Sequence, residues 1–364
     1  VGQNAEGATI TGVGGGQNEY ALLGIFGRIN YDYMSRYLFE VSGRYDGTSR
    51  FAKGNRWGFF PSASVGWRIS EESFFQPARR LVDNLKIRAS FGSLGNQNVS
   101  SYYTFARLVS IANLGYTFGE GSVLPKYSTL GAPIASDMTW ETAQQWDFGF
   151  DLTMLGNRLN LTVDGYIRNT RDMLTDGVEL PAVYGASVPD MNAADLRTKG
   201  YEITLNWRDQ LTLGGKPFEY SVGLNLSDYK SIVTKYDNKN KTFAQPYYEG
   251  MEIGEIWGFV TDGLFQSDEE AQAYAEQLDL SYVLKGQTGG WQAGDVKFVN
   301  LDGDNKIGIG SNNVDNPGDR KILGNSLPSL SYGITVSVRW NGIDVSAFFQ
   351  GTGNHYWYPD GESM

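Results

Sequence analysis

The chain has no cysteine, a single histidine and eleven prolines, and none of its apolar runs approaches the about eighteen residues of a membrane-spanning helix. Each absence removes a class of function. Without cysteine there are no disulfides, zinc thiolates or thiol nucleophiles. His355 stands alone in the terminal segment, so any histidine-dependent catalytic or metal site would have to be built on it, and a surface position is expected instead. Segments with the helical period of an α/β enzyme are also missing. Gly14-Gly15-Gly16 has neither the Lys-Ser/Thr nor the helix that follow a phosphate-binding loop, and is expected to be plain loop. A net charge of −11, more than half of it from Lys230–Asp319, argues against a nucleic-acid partner. No enzyme is expected.

What the chain does have is sustained period-2 alternation, 46 glycines and 14% aromatics. Asn341-Gly342 suits a two-residue type I′ turn, because both positions accept positive φ. Counting outward, Tyr332, Ile334, Val336, Val338 and Trp340 join Ile343, Val345, Ala347 and Phe349 on one face, with Ser, Thr, Arg and Asp on the other. The same alternation marks strands near 23–33, 37–45, 57–69, 85–91, 140–154, 159–167, 201–207 and 218–226, which with this hairpin makes ten. Short joins, near 33–36, 70–83, 155–158, 209–217 and 341–342, alternate strictly with longer ones near 47–55, 93–139, 171–198 and 228–330. Outer-membrane barrels have this habit: tight periplasmic turns and long outside loops.

Alternation alone also suits a soluble β-sandwich. Trp57 and Trp67 share a face ten residues apart. That is roughly 33 Å of strand and, at a barrel's tilt, about 25 Å of membrane normal, the height of a lipid-facing band. Trp57, Trp67, Trp207 and Trp340 are therefore expected on the lipid side, and Glu40, Asp147, Asp151, Asp164 and Glu202 in charge pairs lining the lumen. If long loops face outward, both ends of the chain lie outside, whereas complete barrels start and finish in the periplasm; an internal fragment is the expectation.

Six stretches then carry a resemblance: GWRISEESFF (66–75), LKIRASFGSLGNQN (85–98), WETAQQWDFGFDLTMLGNRLNLTVDGYIRNTRDML (140–174), LRTKGYEITLNW (196–207), WGFVTDGLFQ (257–266) and GDRKILGNSLPSLSYG (318–333). In order and spacing they resemble the barrel of SusC/RagA-family TonB-dependent outer-membrane transporters. The resemblance implies an all-β transmembrane antiparallel barrel of about 22 strands, of which residues 1–364 supply about ten, with the plug and the first and last strands elsewhere. It implies uptake of oligosaccharides or peptides, energised by TonB through a region outside this chain, with a SusD-like surface lipoprotein as lid and outer-membrane lipid around the wall. A glycan-binding or adhesive barrel without transport, and a secreted sandwich lectin, are the competing readings.

Residues 228–330 are expected to form a large extracellular loop with a short helix at 268–278 opened by Ser267. Tyr247, Tyr248, Trp257 and Trp291 in that loop are candidates for stacking on substrate, with packing of the loop against itself as the alternative. Asn300, Asp302, Asp304 and the Lys306 carbonyl present oxygens at alternate positions, like the start of a calcium loop. Asn305 replaces the usual glycine and Ser311 the bidentate glutamate, so a metal-free Asp/Gly turn competes with calcium there; Asp315 or Asp319 would have to complete the ligand set.

Overall fold

The computed structural model describes residues 17–99, 104–107, 109–115, 125–131, 133–134, 137–177, 183, 185, 188–283 and 290–358. Gly14–Gly16 fall outside them. Ten strands form one antiparallel sheet: β1 (Leu22–Tyr33), β2 (Tyr37–Thr48), β3 (Trp57–Arg68), β4 (Val82–Asn96), then β7 (Glu141–Met154), β8 (Leu159–Asp176), β9 (Asp190–Leu213), β10 (Lys216–Lys235), β15 (Ser331–Trp340) and β16 (Ile343–Gly351). Spatial neighbours are also sequence neighbours once insertions are skipped, as in an up-and-down wall. β5 (Val109–Asn113) and β6 (Lys126–Leu130) make a separate hairpin between β4 and β7.

The register fixes two faces. Trp67 lies opposite Ile87, Ile87 opposite Phe150, Phe150 opposite Val163 and Val163 opposite Ile203. Trp207 faces Val222, Val222 faces Val336 and Val336 faces Ala347. The apolar face is thus continuous across the sheet, and Trp57, Trp67, Trp207 and Trp340 all belong to it. No described residue covers it: Ile29 is 70%, Phe59 62% and Val345 61% exposed. A sandwich would bury this face against a second sheet.

Short turns close one end. Asn341 and Gly342 sit at φ 50° and 82°, as a type I′ turn requires, and Gly214 and Gly215 repeat the device at 60° and 75°. The expected 209–217 join is therefore only Gly214-Gly215, since pairing runs on to Leu213 and resumes at Lys216. The 69–80 join holds two short 3₁₀ segments, Ile69–Glu71 and Ser73–Arg80.

At the long-loop end the strands outrun the apolar band. β8 continues to Asp176 and β9 starts at Asp190, which narrows the expected 171–198 loop, and β10 reaches Lys235 before its loop begins. That loop folds into a lobe containing β11 (Glu255–Phe259), β12 (Thr261–Leu264), α1 (Asp268–Gln277), β13 (Val296–Phe298) and β14 (Arg320–Asn325), in two small pairs, β11 with β14 and β12 with β13. The Ser267 hydroxyl accepts from the Glu270 N–H at 3.2 Å, capping α1 as its sequence suggests. The apolar core lies here and under the loops: Phe265, Ala271, Leu280, Trp291 and Ile307 in the lobe, Ala194, Val233 and Tyr236 where it meets β9 and β10, and Phe51, Phe60, Met138 and Trp140 over the inner face.

Candidate functional site: a polar wall beneath a folded lobe

The second face of the sheet is polar and cross-linked. Arg88 on β4 reaches Asp151 on β7 at 3.2 Å and Asp164 on β8 at 2.7 Å. The longer reach passes over Gly149, where a Cβ would collide with the Asp164 carboxylate. The Thr162 hydroxyl donates to Asp151 at 3.1 Å and Lys86 stands 3.9 Å from it. Towards either edge of the sheet, Arg28 pairs with Glu40 at 3.5 Å and Arg339 with Asp344 at 2.6 Å. Asp147 accepts from Gln145 at 2.7 Å, whose carbonyl takes the Arg168 guanidinium at 2.8 Å. Of the carboxylates expected to pair, Asp147 and Glu202 make no ion pair within 4.0 Å among the described residues. Ionic side chains held this way keep a wet surface polar without collapsing it, which suits the wall of an aqueous channel.

Hollows lie on this wall. One, about 690 Å³, has Glu40, Ser64, Ser90, Asp147 and Arg168 among its lining residues. A larger one near the short turns, about 950 Å³, includes Arg208, Gln210, Glu219 and Arg339.

The lobe places the aromatic candidates in its own packing. Trp291 is buried in the core cluster, 5.8 Å from Phe265. Tyr248 is buried with its hydroxyl on Glu255, and burial, reinforced by that carboxylate, pushes the phenol well above its ordinary pKa. Trp257 donates to the same Glu255 at 2.8 Å and tilts on Phe243 at 4.9 Å; Tyr247 stands edge-on to Tyr236 at 5.6 Å. Tyr247 and Trp257 keep partial exposure. Glu255 organises this group, and nothing in the sequence distinguishes it from other acids in the loop.

The Asn300–Lys306 turn is held by local backbone bonds. Gly303 N–H donates to Asn300 Oδ1 at 2.8 Å, Asp304 N–H to Asp302 at 3.0 Å and Lys306 N–H to Asp304 at 2.8 Å. Asp319, 1% exposed, takes the N–H groups of Leu301 and Gly308 at 2.7 and 2.8 Å and so clamps the turn from below. Among the described residues, no three or more His, Cys, Asp or Glu side chains gather as metal ligands. His355 is exposed in the terminal segment.

Sequence reasoning also missed a clasp at the short-turn end. Glu72 accepts from the Tyr37 hydroxyl at 2.6 Å and the Trp67 indole at 3.1 Å, with Arg36 at 3.6 Å. It fixes two aromatics at the rim of the apolar face, where amphipathic rings sit at a membrane boundary.

Comparison with known proteins agrees with this geometry. A family model described as "TonB dependent receptor-like, beta-barrel" matches residues 3–349. TonB-dependent receptor P3 of Formosa agariphila is 31% identical over 346 residues, 92% of this chain and 32% of that protein. TonB-dependent receptor SusC of Bacteroides thetaiotaomicron is 28% identical over 93% of the chain and 32% of its own length. The RagAB peptide importer in its open-open state superposes with a TM-score of 0.70 at 20% identity, covering 92% of this chain and 32% of that one, a likeness of fold. The chain thus spans about a third of the length of the relatives it matches. An apolar face open to lipid, a polar face within and tight turns opposite a folded lobe are what an outer-membrane barrel wall requires, and the chain belongs to the TonB-dependent receptor family, as part of its β-barrel.

Proposed function

We propose that this chain is the transporting wall and part of the outer mouth of an importer that takes up oligosaccharides or peptides with TonB as energy source and a SusD-like lipoprotein as lid. The observation that carries the reading is the sheet's division into an uncovered apolar face and an ion-paired polar face, with a folded lobe at one end only. A barrel used only for adhesion needs loops and no solute path; the hollows on the inner wall favour passage. The 228–330 segment faces the cell exterior in this account and supplies the seat for the lid. Tyr247 and Trp257 are proposed as substrate contacts, with Tyr248 sharing Glu255 with Trp257 and Trp291 packed in the lobe core. The N–H bonds taken by Asn300, Asp302 and Asp304 favour the reading of this turn as an Asp/Gly turn over a calcium loop.

The test is replacement of residues 235–325 by a short Gly/Ser linker in the intact receptor. Barrel insertion is expected to survive, while co-purification of the lipoprotein and substrate uptake are lost. Uptake at the parental rate would show that lid and ligand contacts come from elsewhere.

A further inference from the structure

The outward face changes character abruptly where β8, β9 and β10 leave the apolar band. On β9 the outward positions run Trp207, Leu205, Ile203 and Tyr201, then Lys199 and Arg197; on β10 they run Val222, Leu224, Leu226 and Asp228, then Lys230. Lys199 lies directly opposite Lys230. Like charges in facing positions repel, and a sheet keeps such a pair only where something offsets it. Lys230 has a partner, Glu252, at 2.5 Å. Lys199 has no carboxylate within 4.0 Å among the described residues, and neither has Arg171, two rows further along β8; Arg197 is held by the neutral Asn169 at 2.8 Å. Asp195, beyond them, accepts from the Asp172 N–H at 2.9 Å.

All four cations are exposed, and of their inward-facing neighbours Thr198 and Ser231 are buried while Tyr229 and Asp172 are exposed. The Thr198 and Ser231 hydroxyls are 2.8 Å apart, so the wall is covered on the lumen side directly behind Lys199 and Lys230. Its height is set by aromatics. Trp146 and Ile167 occupy the same row as Lys199, and Tyr201 lies one outward position, about 7 Å, nearer the band. Tryptophan and tyrosine mark the boundary of the hydrocarbon, so these ammonium and guanidinium groups stand at headgroup level. At the short-turn end three cations have carboxylate partners within the chain, Arg158 with Asp209 at 3.2 Å, Arg36 with Glu72 at 3.6 Å and Arg79 with Glu71 at 2.9 Å, while Lys216 bonds the neutral Asn341.

We infer that Lys199, Arg171 and Arg197, with Lys230 at their edge, form a site for the phosphate of an anionic lipid headgroup in the outer leaflet. Guanidinium and ammonium groups take phosphate oxygens by charge-assisted hydrogen bonds, and an anion placed between Lys199 and Lys230 converts their repulsion into two attractions. The site faces away from the lumen, so it is independent of whether the receptor transports.

The test uses the intact receptor in phosphatidylcholine nanodiscs doped with phosphorylated lipid A or with its dephosphorylated form, counting retained lipid by native mass spectrometry. The parent is expected to retain the phosphorylated lipid and not the other. A K199Q/R171Q double variant should lose at least tenfold in retention while still showing the heat-dependent gel shift of a folded barrel. Lys239→Gln, an exposed lobe lysine, should behave as the parent. Equal retention by parent and double variant, or equal retention of both lipids, would overturn the assignment. Displacement of the lipid by millimolar inorganic phosphate would overturn it too, by making the patch a soluble-anion site.

Discussion

Phe265 and Ile307 in the lobe are 2% and 0% exposed, whereas Phe59 and Val345, equally apolar, stand 62% and 61% exposed on the sheet. Polar groups divide in the opposite sense, with Arg88, Asp151 and Asp164 locked together on the inner wall while Glu269 and Glu276 stand exposed on the lobe. The difference teaches that one chain is folding into two solvents. The lobe is an ordinary aqueous fold driven by removing apolar area from water. The sheet leaves its apolar face for lipid and satisfies its backbone strand to strand, as a membrane demands.

The sharpest way to break the comparison is to damage each region by its own rule. Phe265→Ala removes the ring at the centre of the lobe core, where large-to-small changes cost about 3–5 kcal/mol. Limited proteolysis should then cut between residues 236 and 319 while barrel heat-stability is unchanged. Val222→Arg, mid-strand on the outward face, should cost about 2–4 kcal/mol of membrane stability, and Asn225→Arg, on the inner face beside Thr204, much less. Folding titrations into lipid vesicles separate the two; equal penalties would mean that the faces are reversed.

The ten strands were legible because alternation survives wherever one face meets lipid and the other water. Their ends were not. Arg197, Lys199 and Lys230 replace apolar residues above the band, so the period fades although β9 and β10 run to 24 and 20 residues. Asp209 and Gln210 similarly made the end of β9 look like turn. The Ser267 cap was readable because its signal lies within four residues. β11 pairs with β14 across the lobe, and Asp319 acts on groups brought close only by that folding, so local pattern carries no trace of either. Tyr247, Tyr248, Trp257 and Trp291 stand out in the sequence as aromatics, but period and composition do not say which rings end up inside.

Smaller effects sharpen the account of the lobe. Ser267→Ala should cost about 1 kcal/mol by freeing the Glu270 N–H, seen as faster hydrogen exchange in the first turn of α1 with no change in the sheet. Acid should loosen the same corner. The Gln266 N–H, and after it Lys297 at 3.1 Å, hold the Glu270 carboxyl below its usual pKa. A depressed carboxylate contributes stability above its unfolded pKa and loses it as pH falls through the folded value. Lys297, raised chiefly by the same contact, contributes below its unfolded pKa and loses it as pH rises through the folded one. Protection of the α1 amides, relative to their intrinsic exchange rate at each pH, should therefore be greatest between the carboxylate and lysine ranges and fall at both extremes; pH-independent protection would remove this pair from the account.

The most direct measurement is quenching by brominated lipid in single-tryptophan versions of the intact receptor, keeping in turn Trp67, Trp207, Trp340 or Trp291. The first three lie on the uncovered apolar face and the fourth in the lobe core. Strong quenching of Trp67, Trp207 and Trp340 with none of Trp291 is the expected result. Protection of the three sheet indoles would contradict the account, because the face assigned to lipid would then be turned inward.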